Sequence, residues 1–369
     1  MTLITGFFRD GCPILMGDLL VSDNATADKE FLFPTVGRVS KKDISKGEYS
    51  PSHLCQKAIQ LSPKLAICWA NKKIYASSFI KEIIRSNAHI DPSYDLLMQI
   101  YSDLCGQNDL SIIGILRNGT EMQLFDFESW PVDFPDPGFQ YFKAAGSGYA
   151  TLLESIPQMG RWAPSRNLNK LEIGISTAIQ FSTALLSYEI ISQLPIESLF
   201  GVGYEIVHPL GANLSKFSDL TYVFWTALED QPQKWMIIPF PFLIFNYSYF
   251  RDLFIIRSAR ASQAKTPGVC KIDSDELHLI NPIYRKINPN EIKDYSPNSF
   301  NSRYICNVFL WQNFKKADGM FATLGQYNKI SSPIVWTNEF TKNEGIDVNL
   351  NFLKDSIAKI AMQANVEEL

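Results

Sequence analysis

The stretch Thr2-Leu3-Ile4-Thr5-Gly6-Phe7-Phe8-Arg9-Asp10-Gly11, followed by Met16-Gly17-Asp18-Leu19-Leu20, sets how the rest of the chain is read. Residues 3 to 8 and 13 to 21 read as two strands joined around Asp10-Gly11, a pair that tolerates the left-handed backbone of a tight hairpin turn. Thr2 then sits at a strand start, and one carboxylate, Asp18, stands sixteen residues behind it. If Met1 is removed, the chain begins with a threonine. Such a residue carries its own base, because a free α-amine with a pKa of about 7.7–8.0 can take the proton from the hydroxyl beside it.

The 369 residues exceed one typical domain, and 46% hydrophobic residues with 13% aromatic ones supply a sizeable core. A net charge of −4 and the lack of any lysine-arginine run give no footprint for nucleic acid or a membrane surface. Six cysteines (Cys12, Cys55, Cys68, Cys105, Cys270, Cys306) and four histidines (His53, His89, His208, His278) are scattered without metal spacing. They read as reduced, mostly buried thiols of a cytoplasmic chain with no metal and no cofactor. Arg9, Asp10 and Asp18 interrupt the first twenty residues, which argues against a signal peptide. The apolar run from Trp235 to Phe250 carries Pro239, Pro241 and Asn246 and is too short to span a bilayer, so it reads as buried strands.

Along the chain, residues 24 to 53 are polar and broken by Pro34, Gly37, Gly47 and Pro51, as a long loop or insertion would be. Ala58 to Trp69 has strand character with a turn at Ser62-Pro63. Phe79, Ile80, Ile83 and Ile84 then recur at helical spacing. A second helix is framed by Asp91 as N-cap, Pro92 in the first turn and Gly106 past the end. Strands at 110–116 and 121–127 meet through Asn118-Gly119, and another at 141–145 ends in Gly146-Ser147-Gly148. Leu171, Ile175, Ala178, Ile179, Leu185 and Leu186 mark a long helix within 167–191, and a strand returns at 203–207. Hairpins separated by helix pairs suggest helical layers over stacked sheets.

Thr2 with Gly6, the Asp10-Gly11 hairpin, Gly17-Asp18, Lys57-Ala58-Ile59 before an apolar strand, and Ala145-Gly146-Ser147-Gly148 resemble the proteasome β-subunit family of N-terminal-nucleophile hydrolases. The resemblance implies an α+β fold, a four-layer αββα sandwich over residues 1–210 with an insertion at about 24–53. Residues 211–369 would form a C-terminal extension that partly continues the sandwich. It also implies Thr2 as nucleophile, Lys57 as electrostatic activator, Asp18 as its orienter and Ser147 as support near the terminal amine. Asn71 stands where the family has a glycine whose N–H stabilises the oxyanion. Glu197 falls at a family aspartate and Phe200 at a family serine, so the surroundings of the site depart from the family's.

Taken singly, these residues have ordinary readings: Thr2 as an exposed terminus, Asp18 as a hairpin-end carboxylate, Lys57 as a solvated lysine, Gly146-Ser147-Gly148 as a turn. Their order and strand context carry the weight. No G-x-S-x-G elbow, P-loop, H-E-x-x-H or G-x-G-x-x-G occurs. Cys12 and Cys68 lie in apolar strands and read as core. The expected activity is hydrolysis of an amide bond, in a peptide or a small amide substrate. The resemblance further implies a homo-oligomer or ring. It leaves the extension, which typical family members lack, unexplained: that segment reads as a cap on the site, a replacement for ring contacts, or an aromatic-rich surface for a protein partner. A catalytically silent scaffold that binds partner proteins, and a small-molecule amidase, stand as alternatives.

Overall fold

The computed structural model describes residues 2–24, 30–40, 49–106, 109–134, 136–156, 168–192, 194–197, 199–231, 234–263, 269–293, 295, 300, 302–311, 319–326, 334–337, 345–349, 351–357 and 359. The chain divides into two compact units, one of Met1–Phe217 with Ile280–Asn288 and one of Ser218–Leu279 with Pro289–Leu369.

The first unit opens on the hairpin of β1 (Ile4–Arg9) and β2 (Cys12–Asp18). Asp10 at φ 50° and Gly11 at φ 80° are both left-handed, which matches the turn to the twist of its strands. Every residue of β2 is buried, so the alternation of a half-exposed strand is absent and the sheet is covered on both faces. β3 (Leu20–Asn24), β4 (Glu30–Phe33), β5 (Gly37–Ser40) and β6 (Tyr49–Leu54) follow; β3 pairs with β6, and β4 with β5. The expected loop is thus partly strand, and its residues 25–29 and 41–48 lie outside the described ones.

β7 (Ala58–Ser62) and β8 (Leu65–Asn71) lead into α1 (Lys73–Arg85), α2 (Tyr94–Leu104) and the hairpin of β9 (Leu110–Asn118) and β10 (Glu121–Phe127). Next come β11 (Trp130–Pro131), β12 (Phe139–Ala145), α3 (Tyr149–Ser155), α4 (Lys170–Ser192), α5 (Leu194–Glu197), β13 (Tyr204–Leu210) and β14 (Asn213–Lys216). α2 starts later than Asp91 predicts. Ser93, extended at φ −129°, accepts from the Leu96 amide and so takes the cap, leaving Pro92 outside the helix.

A six-stranded sheet runs β11-β12-β1-β2-β13-β14 and a four-stranded one β10-β9-β8-β7. Ile4, Leu15, Ala66, Cys68, Ile113, Ile115 and Val207 fill the space between them. A Cβ at Gly6 would meet Ile113 Cγ2 at 2.4 Å, so the approach of the sheets there needs glycine. The other face of the four-stranded sheet packs Ile67, Trp69 and Ile112 against Phe79, Ile80, Ile83 and Leu97 of α1 and α2. Burial of each such side chain contributes about 1.5–3 kcal/mol.

The four-layer αββα sandwich expected from the sequence is overturned as the fold class. The structure is mostly β, 50% strand against 25% helix. Among the described residues the first unit holds five α-helices, and the strands of the two units fall into five separate sheets. The physical reason lies in two segments. In the first, β4 pairs with β5 and β6 pairs with β3, and the second unit builds a nine-stranded sheet of its own.

Within that sheet Leu220–Gln231 pairs in parallel with Tyr304–Trp311 and antiparallel with Leu243–Phe250. Its apolar cluster includes Trp225, Trp235, Phe309 and Trp311, so the aromatic runs of the sequence are core. Thr221, Asn246 and Ser302 satisfy one another inside it, with the Thr221 hydroxyl donating to Phe300 O at 2.9 Å. Residues 351–357 are helical, with Leu353 buried. Among the described residues, no helix is long and apolar enough to cross a membrane.

Candidate active site

The β1–β2 register sets Ile4 opposite Gly17, so the next residues outward, Leu3 and Asp18, face each other, and the Asp18 amide donates to Leu3 O at 3.0 Å. The hairpin therefore delivers Asp18 to the base of Thr2. Lys57 arrives from the other sheet, one residue before β7. Gly17 permits the crossing: a Cβ there would lie 3.3 Å from Lys57 Cβ and 3.4 Å from the Ala58 nitrogen.

Thr2, Asp18 and Lys57 are all buried, at 1%, 0% and 1% exposure. Asp18 Oδ1 accepts from Thr2 Oγ1 at 2.5 Å, the Leu3 amide at 2.9 Å and Lys57 Nζ at 2.7 Å. Its Oδ2 accepts from the amides of Leu20 at 3.3 Å and Gly201 at 2.9 Å. Lys57 Nζ also donates to Leu20 O and lies 5.9 Å from the centre of the Trp69 ring. Burial pulls the Lys57 ammonium below its ordinary range, while the charge of Asp18 and its hydrogen bond pull the other way. A carboxylate with five donors is the compensation that a dry ammonium needs.

Ser147 Oγ accepts from the Thr2 nitrogen at 3.1 Å, and the Gly148 amide donates to Thr2 O at 3.0 Å. Gly146 makes this seat possible: its φ is 100°, and a Cβ would fall 2.0 Å from Thr2 O. Gly146→Ala is expected to lower stability by about 1–3 kcal/mol through strain and displacement of Thr2. Urea denaturation checks the first effect, and the second appears as loss of any activity that depends on Thr2.

Asn71 ends β8 at φ 76°, a left-handed conformation that glycine favours and asparagine tolerates. Its Nδ2 donates to Ser111 Oγ at 2.9 Å, which ties the side chain back onto β9. Asn71 and Lys57 both line a cavity of about 720 Å³ with Val21, Trp69 and the start of α1. Thr2 is not among the described residues that line it. Glu197, expected as a support, is exposed on α5 and does not join the cluster. Phe200 is fully buried; a Cβ on Gly148 would lie 2.9 Å from its ring, so it backs the 146–148 loop as an apolar wedge. Burial pushes the Cys12 and Cys55 thiols up to about 11 and Cys68 well above its ordinary value, so none offers a thiolate near neutral pH.

Two buried carboxylates went unread in the sequence. Glu205 on β13 accepts from the amides of Lys57 at 2.9 Å and Ala58 at 3.2 Å, and from Lys216 Nζ at 2.8 Å, so it pins the strand that carries Lys57. Glu189 on α4 accepts from Thr35 Oγ1 and from the Val202 amide at 2.8 Å. The signal for each was an acid inside an apolar pattern, Glu189 four residues after Leu185 and Glu205 between Tyr204 and Ile206. Asp18 and Glu189 together hold a strained turn in which Leu199 (φ 60°) and Val202 (φ 74°) are left-handed. Such a backbone is an outlier for a β-branched residue.

Burial pushes the Glu189 carboxyl up from 4.5 to about 7, against the hydrogen bonds from Thr35 and Val202. A raised acid stabilises the fold below the unfolded pKa, and that contribution is lost as pH rises through the folded one. Stability is therefore expected to fall by about 3 kcal/mol between pH of roughly 4.5 and 7 from this group. In Glu189→Gln that part of the pH dependence should vanish, as measured by urea midpoints across the range.

The chain matches no protein-family model and no curated protein sequence.

Proposed function

We propose that the chain hydrolyses amide bonds, of a peptide or a small amide, with Thr2 as an N-terminal nucleophile after the Met1–Thr2 bond is cleaved. The observation that carries the reading is the meeting of Thr2 Oγ1 and Lys57 Nζ on one buried oxygen, Asp18 Oδ1, at 2.5 Å and 2.7 Å. The support is chemical and belongs to the site rather than the fold, where the residue likeness to proteasome β subunits also resides.

Cleavage frees the α-amine beside Ser147 Oγ. The amine, directly or through a water, takes the Oγ1 proton as the oxygen attacks the substrate carbonyl carbon. The ammonium of Lys57 favours the alkoxide and keeps the α-amine neutral, and Asp18 fixes that ammonium in place. The carbonyl oxygen gains the negative charge, with the Asn71 N–H as its donor. The C–N bond then breaks, the departing amine takes the proton from the Thr2 ammonium, and an ester remains on Oγ1. Water attacks the ester after losing a proton to the α-amine, which releases the acid and restores the hydroxyl.

In protein that begins at Thr2, Lys57→Ala is expected to lower kcat on fluorogenic peptide amides by about 10²–10³-fold, with KM changed little. An unchanged kcat would overturn the role of Lys57. The low exposure of Thr2 favours a second reading, a silent scaffold in which the same cluster only ties β1, β2 and β7 together.

A further inference from the structure

Gln56, the residue before Lys57, is buried, and each of its polar groups is engaged. Its amide donates to Asn281 O at 3.1 Å and its Nε2 to Ile280 O at 2.8 Å, and Gln56 forms a parallel bridge with Pro282. Its carbonyl accepts from Trp69 Nε1 at 3.1 Å, and its Oε1 accepts from Lys216 Nζ at 2.5 Å. A buried amide side chain must find partners of some kind. Where these partners lead is the informative point.

Two of them lead on to Lys57. Lys216 also donates to Glu205, whose other oxygen holds the amides of Lys57 and Ala58. The Trp69 ring, fixed through its Nε1, lies 5.9 Å from Lys57 Nζ, and the Trp69 amide donates to Lys57 O at 3.1 Å. The backbone of Lys57 and the ring beside its ammonium thus share one support. A misplacement of about 1 Å at a reacting centre costs on the order of 10²-fold in rate, so such a support bears on chemistry as well as on packing.

Gln56 is seated in turn by a segment from far along the chain. Ile280–Asn288 belongs to the first unit, although Ser218–Leu279 precedes it in sequence and forms part of the second. Ile283 is buried in the apolar cluster that α1 and α2 share with Trp69, and Tyr284 packs against that cluster. The Ile287 amide donates to Asn281 Oδ1 at 3.1 Å, which ties the two ends of the segment together. The carbonyls of Ile280 and Asn281 are thereby presented to Gln56. The surroundings of Lys57 therefore include residues that Met1–Phe217 does not supply.

We propose that Gln56 is a positioning residue for Lys57, and that segment 280–283 completes the site by seating Gln56. The consequence for catalysis rests on Thr2 as the nucleophile and Lys57 as its activator. Gln56 acts only through Lys57.

The test uses the whole chain beginning at Thr2. In Gln56→Met, which keeps the length of the side chain and removes its polar atoms, kcat on fluorogenic peptide amides should fall by about tenfold with KM changed little. The acid limb of kcat/KM should move up by about half a pH unit, because an ammonium that has drifted no longer keeps the α-amine neutral. Asn281→Ala should move both readouts in the same direction by a smaller amount, and it carries the decision should Gln56→Met not fold. Tyr101→Phe is the control for loss of stability alone: its hydroxyl donates to Leu110 O within the same apolar cluster, and its removal should lower the urea midpoint without moving the limb. A folded Gln56→Met with kcat and limb unchanged, or a Tyr101→Phe that moves the limb as far, would overturn the inference and leave the hydrolase reading standing.

A second arm needs no turnover. It follows the nitrogen NMR signal of the Lys57 ammonium in isotope-labelled protein, identified by its loss in Lys57→Ala. That signal should shift in Gln56→Met and Asn281→Ala and stay in place in Tyr101→Phe. These shifts without turnover by the unaltered protein would sink the hydrolase reading and keep the positioning of Lys57. No turnover and no shift would sink both.

Discussion

Asp18→Ala is expected to destabilise the first unit by about 3–5 kcal/mol, because it leaves a buried ammonium unpaired. In the intact protein Asp18 accepts from two side chains, Thr2 and Lys57, and from three backbone amides, those of Leu3, Leu20 and Gly201. Removing it strips Lys57 Nζ of its charge partner, with only Leu20 O among the described residues to accept from it, and frees the strained 199–203 turn. The Tm should drop by roughly 6–20 °C for a unit of this size. The companion Asp18→Ala/Lys57→Met, which removes the ammonium as well, should recover part of the loss, since a buried pair is often replaceable by apolar groups of similar volume. A single variant within about 1 kcal/mol of the parent would show that the pair is worth no more than a surface salt bridge.

Thr2→Ala is expected to abolish hydrolysis, with kcat down by on the order of 10⁴ or more, because no other group can form the ester. The fold should survive. Asp18 keeps its four other donors, and the lost hydroxyl contributes about 1 kcal/mol. Thr2→Ser keeps the oxygen and should retain activity, which separates the chemistry from a packing role of the side chain. Steady-state assays on identical peptides, with circular dichroism to verify folding, read both outcomes. Full hydrolysis in Thr2→Ala would remove the proposed mechanism.

The parts of the molecule governed by short-range rules were legible. Asp10-Gly11 and the turn at Gly119 announced their hairpins because left-handed backbone restricts residue choice, and the first hairpin alone fixes Asp18 against Thr2. Lys57 was legible only through its likeness to a known pattern. Nothing local says that a lysine before Ala58-Ile59-Gln60 will be buried beneath Gly17. Glu189 and Glu205 escaped because a lone acid in an apolar run reads as an error in the pattern until its donors are known, and those donors, backbone amides with the Thr35 hydroxyl and the Lys216 ammonium, lie elsewhere in the sequence. Glu197 failed for the opposite reason: alignment placed it near the site, whereas α5 exposes it. The fold class failed where pairing is non-local. The parallel match of 220–227 with 304–311 spans a separation that no period in the sequence encodes.

Intact mass of the purified protein, before and after exposure to a peptide epoxyketone, tests the central claim most directly. That warhead needs both groups of a free N-terminal threonine, the hydroxyl to add to the ketone and the α-amine to open the epoxide. The expected result is a mass beginning at Thr2 that gains one inhibitor, with no gain in Thr2→Ala. A chain that begins at Thr2 and stays unmodified after prolonged exposure, or one that keeps residue 1 and shows no adduct, would contradict the account.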